Sequence, residues 1–141
     1  MPDPVMEFSH WVGWDQRESI PGCRSNGVYL LAHFQNAVPI GNASPLEENI
    51  IYIGETHHQG LAKRWRDFHR SASTGRKSHA GGMTYYERFK ELSGDLYVAA
   101  SVTFPSSWSE RQRCFYIRYA EARLVAEFCL KYRTDKLCNK C

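Results

Sequence analysis

The chain has 141 residues, of which 43% are hydrophobic and 23% charged, with a formal net charge of +3. That length suits a single domain over 1–141, and the composition is that of an ordinary globular protein, so disorder is not favoured. No apolar run approaches the ~18 residues of a membrane span. The opening "MPDPVMEFSHWVGWD" carries early acidic residues and no basic leader, so the expected setting is the cytoplasm, with no membrane partner.

Residues 1–25 are aromatic but irregular. Phe8, Trp11 and Trp14 are interrupted by Gly13, Pro21 and Gly22, and the segment is expected to wrap the edge of a core spanning about 26–139. "NGVYLLAHF" (26–34) reads as the first strand, opened by a turn-forming Asn-Gly. The Pro-, Gly- and Asn-rich stretch 36–49 reads as a loop, with room for a short strand around Val38. "IIYIG" (50–54) is β-branched and aromatic and stops at Gly54, so it is the second strand.

Over 60–73, Leu61, Trp65 and Phe68 recur at i, i+4 and i+7, which makes one apolar helix face. A loop with three glycines (74–82) follows. A short helix is expected over 83–92, with Tyr86, Phe89 and Leu92 inward, and a third strand over 95–104, ended by Pro105. The longest helix is expected over 108–133, where Ser109 can cap it and Glu110 suits its first turn. The order predicts an α+β domain: a small three-stranded, mostly antiparallel sheet flanked by helices.

The cysteines Cys23, Cys114, Cys129, Cys138 and Cys141 are odd in number and scattered, which speaks for reduced thiols. "CNKC" has Cys-x-x-Cys spacing, but a zinc site calls for a second such pair or histidine partners and none stands out. A frayed tail is the plainer expectation.

Two local features point to function. Between Thr56 and His79, Lys63, Arg64, Arg66, Arg70, Arg76 and Lys77 stand against Asp67 alone, with His57, His58, His69 and His79 among them. Such an excess suits a polyanion, most simply nucleic acid; a solvated basic face is the plain alternative. On the long helix the apolar stripe runs Ile117, Leu124, Val125, Phe128 and Tyr132, and Glu121 falls inside it. A buried, unpaired carboxylate is costly. Either Glu121 makes an internal salt bridge, or it faces a polar cavity. A hard divalent cation held by one carboxylate, water and phosphate would account for it.

These pieces, in order, carry a resemblance. Gly27-Val28-Tyr29 and Tyr52-Ile53-Gly54 resemble the two halves of the GIY-YIG nuclease signature. "YIGET…LAKRW" resembles the segment that places an arginine on the following helix, with Arg64 in that position. "AEARLVAEF" resembles the later helix, whose glutamate precedes two aliphatics; Glu121, Leu124 and Val125 match. Asn139 stands where the family often has a downstream asparagine. The resemblance covers about residues 21–139. It implies a small three-stranded antiparallel sheet with helices and metal-dependent hydrolysis of phosphodiesters, usually in DNA. Mg²⁺ is the implied cofactor, with Mn²⁺ as a substitute.

The chain departs from the family pattern twice. The spacing between "GVY" and "YIG" is lengthened by the 35–49 loop, a candidate for DNA contact, as in some restriction enzymes of the family. The family's histidine commonly lies one turn after the arginine, but Phe68 is four after Arg64. His69 is one further on, rotated about 140° from Arg64. His69 and His79 are the two candidates, with His69 slightly preferred.

The resemblance then assigns roles. Tyr29 is the general base or a link in its proton path, and Tyr52 orients the water or the phosphate. Arg64 clamps non-bridging oxygens, which suits its guanidinium, and Glu121 holds one Mg²⁺ against the leaving 3′-oxygen. Lys63, Arg66, Arg70, Arg76 and Lys77 are the candidate phosphate contacts. A free phenol has a pKa near 10, so its ionised form costs roughly 4 kcal/mol at pH 7, and Arg64, a histidine and the metal must lower it. The expected function is a Mg²⁺-dependent DNA endonuclease, with a restriction type among the options. Its specificity would come from loops 35–49 and 74–82 or from a homodimer. A non-catalytic nucleic-acid-binding module with the same fold is the alternative.

Overall fold

The computed structural model describes residues 6–139. Its elements are β1 (Val12–Gly13), a 3-10 helix (Trp14–Ser19), β2 (Gly27–His33), β3 (Ile50–Thr56), α1 (Leu61–Thr74), α2 (Ala80–Phe89), β4 (Leu96–Ser101) and α3 (Glu110–Tyr132). The strands form one antiparallel sheet in the order β1-β4-β2-β3. The domain is α+β, as the element order predicts.

Helices cover both faces of this sheet. Tyr29 and Leu31 of β2 and Tyr52 of β3 pack with Leu61, Trp65 and Phe68 of α1 and Tyr85 of α2. Val28, Leu30 and Ala32 of β2, with Ile50 and Ile53 of β3, pack instead with Ile117, Ala120, Leu124 and Phe128 of α3. Strands buried on both faces have no polar side to show, so they read as continuous apolar runs. α1 is closed by Gly75, whose φ of 76° is the left-handed conformation that glycine adopts without strain. Ser109 and Gln112 form a reciprocal capping box at the start of α3.

Four details correct the sequence expectations. The sheet has four strands, because Val12 and Gly13 pair with Val98 and Tyr97; a two-residue strand has no periodicity to read. The 36–49 loop forms no strand at Val38, only an isolated bridge from Asn42 to His10. α2 begins at Ala80 and takes Gly81 and Gly82 into the helix. A Cβ on Gly82 would lie 2.7 Å from the Ser71 Cβ, so tight packing of α2 on α1 requires a glycine that helix propensity disfavours. With that shift in register, Tyr85 is the fully buried ring, while Phe89 is 40% exposed.

The described end of the chain is packed rather than frayed. Leu137 and Cys138 are buried, and the Cys138 N–H donates to the Ile51 carbonyl at 2.7 Å. The Asn139 side chain accepts from the Ile53 N–H at 3.1 Å and donates to the Ile53 carbonyl at 2.6 Å. The segment thereby satisfies backbone groups along the free edge of β3, which would otherwise invite pairing with another chain. Cys23, Cys114, Cys129 and Cys138 are free thiols, and burial pushes Cys138 up to about 11. Cys141 lies outside the described residues. No helix among the described residues is long and apolar enough to cross a membrane.

Candidate active site

Tyr29 and Tyr52 project from adjacent strands to the face covered by α1 and α2, with ring centroids 5.8 Å apart. Gly54 sits directly across from Tyr29 in the β2–β3 register. A Cβ on Gly54 would lie 2.4 Å from both rings, and one on Gly81 would lie 2.3 Å from the far edge of the Tyr52 ring. Tyr52 is therefore held in a slot with a glycine on each side. Tyr29 has no exposed surface, whereas Tyr52 keeps 9%.

His79 closes the group from above. It is buried and is the N-cap residue of α2, where its Nδ1 accepts from the Gly82 N–H at 3.1 Å. Its Nε2 lies 2.9 Å from the Tyr29 hydroxyl. Because Nδ1 is an acceptor, the single proton of the neutral ring is on Nε2 and is donated to the Tyr29 oxygen. The ring is neutral, since burial and then the nearby Arg64 charge push its pKa down to about 3. The Tyr29 hydroxyl proton is left free, and the Tyr52 ring, 5.8 Å away between centroids, is its nearest phenol neighbour. His79 is thus hydrogen-bonded to Tyr29, and both rings pack against Tyr52.

Ser71 brings His79 into place. Fully buried on α1, it accepts from the N–H groups of Ser78 and His79 at 3.0 and 2.8 Å and donates to the Arg76 carbonyl at 2.6 Å. One hydroxyl thus folds the 75–79 loop back over the helix. A serine three residues after Phe68, on the apolar face of α1, was the readable sign of it.

His69 is turned elsewhere. Its Nδ1 accepts from the Trp14 indole N–H at 3.0 Å, and the two rings are nearly parallel, 8° apart. The ring neighbours of the two phenols are each other, Trp65, Phe68 and His79. The rotation that separates positions i and i+5 on a helix is realised here, and His79 is the histidine that meets the phenols.

Arg64 is half-buried in the first turn of α1. It has no carboxylate partner among the described residues, and its charge acts on Tyr29, Tyr52 and His79 together. Two surface clefts share it. One, of 420 Å³, also includes Glu55, His57 and Lys63. The other, of 510 Å³, includes Lys77, Ser78 and His79. α1 carries no acidic residue in its first turn and no side-chain N-cap. Lys63 and Arg64 at the positive end of the helix dipole oppose helix stability; the Leu61 and Ala62 N–H groups already donate to backbone carbonyls, so an anion there would be met by these two side chains. Arg66, Arg70 and Arg76 are exposed outside these clefts.

Burial pushes Tyr52 up to about 12 and Tyr29 well above the ordinary phenol value; Arg64 opposes both shifts. Glu121 is not in the middle of the buried stripe. That stripe runs through Ala120, between Ile117 and Leu124, and Glu121 lies on its border, half-buried. Neither a salt bridge nor a hydrogen bond engages it among the described residues. Burial and the charge of Glu55 raise its pKa, and its own charge reaches Tyr52. Glu55 itself accepts from His57, its Oε2 lying 2.8 Å from Nδ1. A carboxylate without a cation beside a second carboxylate has the donor chemistry for a divalent ion, although no group of three His, Cys, Asp or Glu is assembled among the described residues.

The site thus gathers Tyr29, Tyr52, Arg64 and His79 and leaves His69 aside; Glu121, on the helix that packs on the other sheet face, is tied to it through charge acting on Tyr52 and Glu55. Ser71, Gly81 and Glu55 belong to it and were not among the sequence candidates. Comparison with family models, with curated proteins and with solved structures finds no match.

Proposed function

We propose that the chain is a metal-dependent DNA endonuclease of the GIY-YIG type. The observation that carries this reading is the His79–Tyr29 hydrogen bond packed against the Tyr52 ring, set beside Arg64, which has no carboxylate partner among the described residues. In-line attack on a phosphodiester needs a base for the water, a cation for the phosphate and help for the leaving oxygen. Arg64 binds the non-bridging oxygens. Because Tyr29 has no exposed surface, contact with the water falls to Tyr52 in this reading. In the fraction of molecules in which Tyr52 has lost its proton to solvent, the phenolate takes the proton as the water oxygen bonds to phosphorus, and the Tyr29 hydroxyl, held by the His79 N–H, and Arg64 steady that charge. The bond from phosphorus to the 3′-oxygen breaks, and solvent protonates that oxygen.

Glu121, with Glu55 near it, would hold the metal ion, which supplies Lewis-acid stabilisation of the phosphate and the leaving oxygen. From a value near 12, ionising Tyr52 at pH 7 costs about 7 kcal/mol. The resting phenol is therefore neutral, and cleavage is expected to accelerate as pH rises.

Cleavage of supercoiled plasmid in Mg²⁺ or Mn²⁺ tests the reading. Metal-dependent cutting that EDTA stops, and that Glu121→Ala loses, supports it. If a folded protein binds DNA and never cuts it, the chain is a nucleic-acid-binding module with the nuclease fold and the catalytic reading is wrong.

A further inference from the structure

A third cleft, of 360 Å³, opens where β4 runs out toward α3. Arg24, Asn26, Phe104, Ser106, Trp108 and Arg113 line it, and no carboxylate does. Neither guanidinium has a carboxylate partner among the described residues. Trp108 is partly exposed at the cleft and packs against Phe104, whose ring is inclined 22° at 6.4 Å, and against Tyr116 at 5.0 Å. The cleft therefore combines a partly exposed indole, packed against two other aromatic rings, with two guanidinium groups that have no carboxylate partner among the described residues. It also adjoins the candidate active site. The carbonyls of Cys23 and Ser25 accept the first N–H groups of α1 at 2.7 and 2.9 Å, so one backbone segment touches this cleft on one side and the Arg64 helix on the other.

We propose that this cleft binds one nucleotide of a nucleic-acid strand, with its base stacked on Trp108 and its phosphates on Arg24 and Arg113. Aromatic stacking and cation contacts are the two means by which proteins hold single strands without reading sequence. The inference rests on the nucleic-acid part of the proposed function and is independent of catalysis.

Tryptophan emission tests it directly, because Trp11, Trp14 and Trp65 are buried at 7%, 4% and 0% exposure while Trp108 is open to a ligand. The probe is a short single-stranded thymidine oligonucleotide. Its binding is followed by protein emission and, with a fluorescein label, by anisotropy. Expected is quenching whose midpoint matches the anisotropy curve. Trp108→Leu should abolish the quenching and weaken binding by roughly tenfold or more. The double variant Arg24→Gln/Arg113→Gln should weaken binding similarly and flatten the log–log salt slope by about 1.4, or ~0.7 for each lost phosphate contact. All three changes are at a surface cleft, and unchanged thermal unfolding confirms that the variants are folded. Binding by anisotropy with quenching retained in Trp108→Leu, or with an unchanged salt slope in the double variant, overturns the cleft assignment and leaves the endonuclease reading standing. No binding by the wild-type chain overturns the cleft assignment as well, while plasmid cleavage decides the endonuclease reading separately.

Discussion

The Nε2 of His79 lies 2.9 Å from the hydroxyl of Tyr29, fifty residues away in sequence, and donates its only proton to it. The donor direction is set from the other side of the ring, by the Gly82 N–H that occupies Nδ1. A buried histidine fixed as a donor has one consequence for stability and another for chemistry.

For stability, His79 is held down to about 3 in the folded protein, against an ordinary 6.5 when unfolded. Between those values the unfolded chain binds the extra proton, so stability is full above about pH 6.5 and falls as pH drops. The slope from this one group approaches about 1.4 kcal/mol per pH unit. Glu121, raised by burial, acts in the opposite sense as pH rises above 4.5, so the comparison must isolate the histidine. Urea unfolding of wild type and His79→Asn between pH 7 and pH 5 is the check. Asparagine retains a cap acceptor and cannot titrate, so the variant should be less stable at pH 7 and lose less on acidification. Parallel pH profiles would contradict the assignment.

The glycines around Tyr52 make a second prediction. Gly81→Ala and Gly54→Ala each place a methyl group about 2.3–2.4 Å from an aromatic ring that has nowhere to go. Overpacking of this kind costs about 1–3 kcal/mol, and displacement of the phenols should abolish cleavage beyond what the stability loss explains. Gly94→Ala, with nothing within 4 Å of the added carbon, should leave both unchanged. Denaturant midpoints and plasmid cleavage on the three variants provide the comparison.

Asn139 offers a third. Its side chain replaces a neighbouring strand at Ile53, on the strand that carries Tyr52. Asn139→Ala removes two hydrogen bonds and reopens the sheet edge, with an expected loss of about 1–3 kcal/mol. Amide exchange at Ile53 should speed up selectively, while exchange at Leu30, whose strand is central, reports only the global loss. Equal acceleration at both sites would mean that Asn139 acts on overall stability alone.

Much of this fold was legible because burial on both faces leaves a coarse signature. β2 and β3 read as apolar runs, and Leu61, Trp65 and Phe68 at helical spacing mark α1. What escaped reading was decided by tertiary contact. Gly81 and Gly82 look like loop residues because glycine is poor in helices, yet they are helical because Tyr52 and Ser71 come too close for any side chain. The position of His79 depends on that same helix start and on the buried Ser71 hydroxyl, so nothing in local spacing favoured it over His69. Sequence periodicity puts Glu121 in the middle of the buried stripe because Ala120 contributes little to an apolar pattern, although it marks the true centre of the face.

The most direct test of the central claim is the rate of plasmid cleavage by Tyr52→Phe, measured with Mg²⁺ beside its DNA affinity. Phenylalanine keeps the ring in its glycine slot and removes only the hydroxyl. The account predicts a fall of roughly 10²–10⁴ in rate, DNA affinity close to wild type, and loss of the rise in rate with pH. Cleavage at the wild-type rate, with the same dependence on pH, would contradict it.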